Sequence, residues 1–175
     1  MTPIGKSDFR DAMSRLGAPV NVVTTDGPAG RHGLTASAVC SVTDTPPTLL
    51  VCVNREAGAH AHLVDNGVLC VNVLTGRHQE LSGVFATKGV DIAARFAQAS
   101  WHTLTTGAPV LSDASVSFDC RIARTEEIGT HTVFFCEVVA VASAPAPEGL
   151  IYFNRAYHHL NGTESQPQAK QRETI

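Results

Sequence analysis

Two β-type runs that lie close together in this chain differ in period, and that difference constrains the fold more than any other feature. In residues 115–122 Val116, Phe118, Cys120 and Ile122 alternate with Ser117, Asp119 and Arg121. This is the pattern of a strand with one face in a core and the other in water. Residues 132–142 are instead apolar at nearly every position except Glu137. A strand there is covered on both faces, by its own core on one and by another layer or a second subunit on the other.

The remaining runs are short. Residues 19–25 and 33–43 are rich in Val and Thr and flank Asp26-Gly27-Pro28 and Gly30, the chemistry of a hairpin. Residues 49–53, 68–74 and 150–153 add three more apolar β-type runs, and the Pro- and Gly-flanked residues 144–149 read as a loop. Helical spacing is found in residues 8–16, where Ser7 is placed to cap and Gly17 to stop, and in residues 60–66, which end at Gly67. Residues 79–85 and 91–97 read as two further short helices. About seven strands against three or four short helices, without strand-helix alternation, favour a closed or split antiparallel barrel over a doubly wound sheet. With 175 residues, 43% of them hydrophobic, the chain suits one domain. We assign residues 1–161 to it and expect the polar residues 162–175 to be disordered.

Several classes of function fall away. Thirteen Lys and Arg against 16 Asp and Glu leave a net charge of −3, without the basic footprint that nucleic acid requires. No apolar run approaches the ~18 residues needed to span a bilayer, and the first residues lack the apolar segment of a signal peptide. A cytoplasmic protein is the expectation. The five cysteines are odd in number, widely spaced and set in apolar runs without C-x-x-C, so buried free thiols are expected. No dinucleotide-binding, phosphate-loop or zinc-protease motif occurs. Of the eight histidines, His60 and His62 stand two apart and His158 and His159 are adjacent, spacings that give no metal site on a helix.

Residues 33–43 are dominated by small and hydroxylated side chains in a stretch where bulky ones are the rule. Either a planar ligand approaches the backbone there, or Ala and Ser simply pack under a neighbouring helix. Thr35-Ala36-Ser37-Ala38, Ser41-Val42-Thr43-Asp44-Thr45-Pro46-Pro47, Val51-Cys52-Val53-Asn54-Arg55 and Leu69-Cys70-Val71-Asn72-Val73-Leu74 closely resemble motifs of the short-chain flavin reductase family. So do Phe85-Ala86, Arg95-Phe96, Gly129-Thr130-His131 and Tyr152-Phe153-Asn154-Arg155-Ala156-Tyr157-His158, in the same order along the chain. Within that family the similarity is greatest to the reductases of pyrimidine utilisation and to the reductase components of hydroxyphenylacetate monooxygenase.

The resemblance implies a mainly β, split-barrel fold with Greek-key connections, usually homodimeric. It also implies reduction of FMN, with FAD an open alternative, by direct hydride transfer from NADH or NADPH, and delivery of the reduced flavin to a partner monooxygenase. Carried over residue by residue, it places Thr35, Ala36, Ser37 and Ala38 along the flavin ring and Asn54 and Arg55 along the ribityl and phosphate, with Ser41 and Val53 among the other cofactor contacts. A guanidinium fork suits a phosphate, although Arg55 fits a solvated loop equally well. Residues 56–60 carry no Ser or Thr, so the start of the next helix, with His60, is the substitute anchor. Phe85 and Lys88 become cofactor-edge contacts, with plain core the competing reading for Phe85. His131 becomes the nicotinamide contact, and Arg155 and Tyr157 belong to a strand that closes the pocket. A tightly FMN-bound oxidase of the pyridoxamine-phosphate type and a non-catalytic flavin-binding barrel are the competing readings of the same barrel.

Overall fold

A computed structural model describes residues 3–146 and 148–161. The chain begins with helix α1 (Lys6–Met13), strand β1 (Ala18–Pro19) and the hairpin β2 (Asn21–Thr25) and β3 (His32–Ala36). It continues through β4 (Val39–Asp44), β5 (Pro47–Asn54), α2 (Ala59–Asn66) and β6 (Val68–Val73). A 3-10 turn (Gly76–His78) leads into α3 (Gln79–Ala86) and α4 (Ile92–Phe96). The short strands β7 (Trp101–Thr103) and β8 (Pro109–Leu111) precede the long pair β9 (Val116–Ile128) and β10 (His131–Ser143), and β11 (Gly149–Phe153) and β12 (Ala156–Leu160) close the order.

Seven strands form one antiparallel sheet in the order β3-β2-β6-β9-β10-β5-β4. Although β3 and β4 are consecutive in the chain, they occupy opposite edges of it. The chain crosses between the edges at Ser37 and Ala38, where the Val39 N–H donates to the Ser37 carbonyl and the Cys52 N–H to the Ala38 carbonyl. Leu34 and Ala36 from one edge and Val39 from the other pack on the same interior cluster, so the sheet curls into a split barrel. The expected single strand over residues 33–43 is therefore two, broken where side chains are smallest. The observed strands also exceed the expected seven. Among the additional strands, β7 and β8 are only three residues long and too short to show a period.

Val51, Leu63, Leu69, Val71 and Phe134 fill the barrel at full burial, each worth about 1.5–3 kcal/mol relative to exposure. The C-terminal end of α2 is set by Gly67, whose φ of 66° is the left-handed cap conformation. A second cluster, with Phe85, Phe96, Leu74 and Leu150, packs α3 and α4 against the outside of the sheet.

Three expectations are corrected. Ser117 and Asp119 do not face water: both are buried, because the segment around β7 and β8 covers that face. Ser117 Oγ donates to Asn72 Oδ1 at 2.9 Å, and Asp119 accepts from the N–H and hydroxyl of Thr106. In α1 no residue is buried, so Phe9 and Met13 stay exposed instead of packing on the domain. Cys70, Cys120 and Cys136 are buried free thiols as expected, with burial pushing the Cys136 thiol up to about 12, but Cys40 is exposed.

The inner face of β10 (Thr132, Phe134, Cys136) is buried while Val133 and Phe135 on the outer face are half-exposed. The second cover of this strand does not come from the described residues of its own chain. Among those residues no helix is long and apolar enough to cross a membrane. The tail expected to be disordered lies outside the described residues.

Candidate functional site

A cleft of about 830 Å³ opens between the β3 edge, the loop entering α2 and the loop between α3 and α4. Its wall includes His32, Thr35, Gly58, Lys88 and Arg95, and its size lies within the ~300–1,000 Å³ usual for ligand sites. β3 can lie this close to α3 because residue 33 is Gly. A Cβ there would stand 2.8 Å from the Phe85 ring. The Thr35 hydroxyl then donates to the Ser82 carbonyl at 2.6 Å, and the Ser82 hydroxyl bonds Tyr157 at 3.0 Å, tying β3, α3 and β12 together.

The rim facing β3 depends on Arg95. This side chain is buried, yet it has no carboxylate partner among the described residues. Its guanidinium donates to the carbonyls of Phe85 at 3.3 Å, Thr87 at 2.5 Å and Val90 at 3.2 Å, all in or beside the loop that carries Lys88. Asp91, also on the rim, is occupied as the cap of α4, accepting from the Ala94 N–H at 3.0 Å. On the opposite wall the His32 ring lies 4.7 Å from His62, and burial, with the charges of His62 and Arg95, lowers its pKa.

A second group stands at the open end of β5 and β10. Asn54 pairs with His131 in the ladder, and its Oδ1 accepts from the Glu56 N–H at 2.9 Å, shaping the turn toward Gly58. His131 is exposed, with Nδ1 bonded to the Thr130 hydroxyl at 2.9 Å. Residues 56–59 line the cleft, so this turn joins the two groups. Ser37 and Ala38 are exposed at the crossing between edges, and Ser41 is exposed on β4.

Several candidate side chains point elsewhere. Val53 is buried in the barrel core, so only its backbone is available to a ligand. Phe85 is largely core, packed edge-on to Phe96 at 5.3 Å, but it also borders the cleft. Arg55 is held by Glu127 at 2.9 Å and the Gly129 carbonyl at 2.7 Å. His60 bonds the Thr132 hydroxyl at 2.8 Å and lies against Phe134, so it stabilises the α2 contact with β10 and does not line the cleft. Arg155 sits in the β11–β12 turn with a positive φ and pairs with Asp11 of α1. From the expected closing strand, Tyr157 braces α3 through Ser82 and does not line the cleft. Among the described residues no cluster of metal-ligating side chains occurs.

Sequence reasoning missed His32, Glu56, Gly58 and the role of Arg95. Arg95 stood in a quoted motif without an assigned task, since nothing in a sequence says which carbonyls a guanidinium will gather.

Residues 13–161 match the family model described as a flavin reductase like domain. The chain belongs to the flavin reductase-like family. In Bradyrhizobium diazoefficiens a protein named FMN reductase (NADH) RutF is 57% identical over 164 residues, covering 94% of this chain and 91% of that protein. Among solved flavin reductases, BorF, the reductase component of a bacterial two-component tryptophan halogenase, superposes with a TM-score of 0.83 at 27% identity, covering 90% of this chain and 99% of that one. The styrene monooxygenase flavin reductase of Pseudomonas putida S12 does so at 0.78 and 25%, covering 87% and 96%.

The residues present fit the flavin that the family name implies. The cleft beside the small-residue crossing is roomy enough for a planar ring. Lys88 and the unpaired charge of Arg95 make its rim attractive to a phosphate, while the Arg55 side chain stands bonded to Glu127.

Proposed function

We propose that this chain reduces FMN at the expense of NADH and supplies the reduced flavin to the oxygenase component of a two-component system. The observation that carries the reading is the junction of the cleft with the Asn54–His131 end of the barrel through residues 56–59, and with the exposed crossing of β3 to β4 through Thr35 of β3. The relative named FMN reductase (NADH) RutF supports the choice of FMN and NADH. The reductases of the tryptophan halogenase and of styrene monooxygenase support the oxygenase partner.

When bound, the flavin supplies a hydride-accepting ring and the nicotinamide supplies the hydride, so no side-chain acid or base is required. The protein's part is alignment and charge. Backbone and hydroxyl at Ser37 and Ala38 offer hydrogen bonds where negative charge develops. Arg95 holds the Lys88 loop, and the two cations draw the phosphate while Glu56 limits how tightly it is held. With Nδ1 held by Thr130, His131 has Nε2 left to position an amide.

We further infer a homodimer joined through the half-exposed outer face of β5 and β10, where Leu50, Cys52, Val133 and Phe135 form a continuous apolar surface. Free thiols at five cysteines support a reducing cytoplasm. Steady-state oxidation of NADH and NADPH, measured with added FMN, FAD and riboflavin, tests the activity. Turnover with NADH and FMN is expected, and its absence removes the proposal. Light scattering tests the dimer.

A further inference from the structure

His32 stands on the cleft wall that β3 forms, and its two ring nitrogens are placed differently. Nδ1 accepts from the Gly33 N–H at 2.8 Å, which leaves the proton of the neutral ring on Nε2. Nε2 has no hydrogen-bond partner among the described residues. It reaches instead toward the turn that enters α2, where residue 58 is Gly and a Cβ would stand 3.3 Å from it. Charged and titratable groups face this ring from the other elements of the cleft. His62 of α2 lies 4.7 Å from it, with an Nδ1 that is itself buried and unbonded. Arg95 of α4 and Lys88 of the α3–α4 loop bring positive charge, and that of Arg95 is felt at His32. Of the carboxylates, Asp91 accepts from the Ala94 N–H at 3.0 Å, and Glu56 stands on the turn before Gly58. Arg31, the neighbour of His32 in the chain, is turned to Asp26 at 2.9 Å.

Basic groups gathered from separate elements around one space repel each other, and burial, with the charges of His62 and Arg95, holds the His32 ring below its ordinary pKa. An entering phosphoryl group reverses this balance. It accepts the Nε2–H, relieves the repulsion and favours the charged ring. A histidine that only packed on His62 would not need an open donor on the ligand side. We propose that His32 donates from Nε2 to a phosphoryl group of the ligand in the cleft, so that the hold on that ligand tightens as the pH falls. The inference rests on the reductase reading, which brings two sources of that chemistry, the phosphate of FMN and the diphosphate of NADH.

The experiment uses the full chain and has two arms. In the binding arm, the Cε1–H resonance of His32, assigned among the eight histidines by its loss in His32→Gln, is followed through an acid titration with and without inorganic pyrophosphate. Its midpoint is expected to move up when pyrophosphate is present. In the kinetic arm, the KM values for FMN, riboflavin and NADH are followed from pH 8 to pH 5.5. In the wild type the KM of one phosphorylated substrate is expected to fall about three- to tenfold over that range, and His32→Gln, which keeps a donor but takes up no proton, is expected to lose that fall. The titration of the substrate's own phosphate is the same in both proteins, so the difference belongs to the ring. His32→Phe, which removes the donor as well, is expected to raise the same KM about tenfold at pH 6. A response with FMN but not riboflavin names the flavin phosphate as the group held, and a response in NADH with either flavin names the diphosphate. An unmoved midpoint overturns the proposal. So does a KM whose course with pH is the same in wild type and His32→Gln. A raised midpoint in a protein that never oxidises NADH sinks the reductase reading and leaves the phosphoryl site standing.

Discussion

Asn72 and Arg95 are both buried polar side chains that gather groups from a neighbouring element, but they secure their surroundings to different degrees. Asn72, on a central strand, donates to the Val22 carbonyl at 3.0 Å and accepts from the Leu111 N–H at 2.8 Å and the Ser117 hydroxyl at 2.9 Å. Each partner sits in a strand that the ladders already hold. Arg95 reaches mainly into a loop, and beyond Thr87 that loop has no other fastening among the described residues. The sheet side is over-determined and the cleft side hangs on one guanidinium. Ligand sites need that asymmetry, since a rim that must admit and release a ligand belongs to the least secured part of a fold.

The contrast breaks first at Asn72. Asn72→Leu keeps the volume but strands a buried N–H, a carbonyl and a hydroxyl, each costing about 1–3 kcal/mol. We expect a total loss of about 3–5 kcal/mol, read as a fall in the urea midpoint with the slope unchanged. An unmoved midpoint would mean that the strands hold β8 without it.

Next in size is Arg95→Met, which keeps the apolar stem. The loop carbonyls can turn to water, so the cost in stability is only about 1–2 kcal/mol. The KM for FMN, however, should rise about tenfold, with faster hydrogen exchange confined to residues 87–90. A fall in stability with no change in that KM would reduce Arg95 to a structural role. Tyr157→Phe follows, removing the hydroxyl bonded to Ser82 at 3.0 Å. It should cost about 1 kcal/mol and leave both KM values alone if Tyr157 braces α3 without touching a ligand.

What could be read beforehand divides along the same line. The hairpin around Gly27 and the Gly67 cap were legible because backbone chemistry at those positions permits little else. The break at Ser37 and Ala38 was not, since the small residues that permit the crossing also continue a strand pattern without interruption. Ser117 and Asp119 were read as wet because polarity alone cannot tell water from a covering segment that brings its own donors. For the site, Thr35, Lys88, Asn54 and His131 fell at or beside the cleft, whereas Arg55, His60 and Arg155 found partners elsewhere: a carboxylate and a carbonyl, a hydroxyl, and a carboxylate on α1. A long polar side chain goes to the strongest neighbour within reach, and that neighbour is fixed by the fold.

The smallest expected effect concerns the cleft wall opposite Arg95. His32 faces the His62 ring at 4.7 Å and accepts from the Gly33 N–H at 2.8 Å. Burial, aided by the charges of His62 and Arg95 and opposed by the contact of the ring with the Gly33 carbonyl at 3.2 Å, lowers its pKa. The unfolded chain takes up this proton near pH ~6.5, above the point at which the folded protein does. Stability from this source is therefore complete above that pH and is lost as the pH falls from there through the depressed value of the folded state. A melting series from pH 8 to pH 5 should show wild type falling further than His32→Gln, with the two curves parallel above pH 7. Parallel curves throughout would mean that the ring is hydrated and the wall as loose as the rim, and the asymmetry between the two sides of the cleft would vanish.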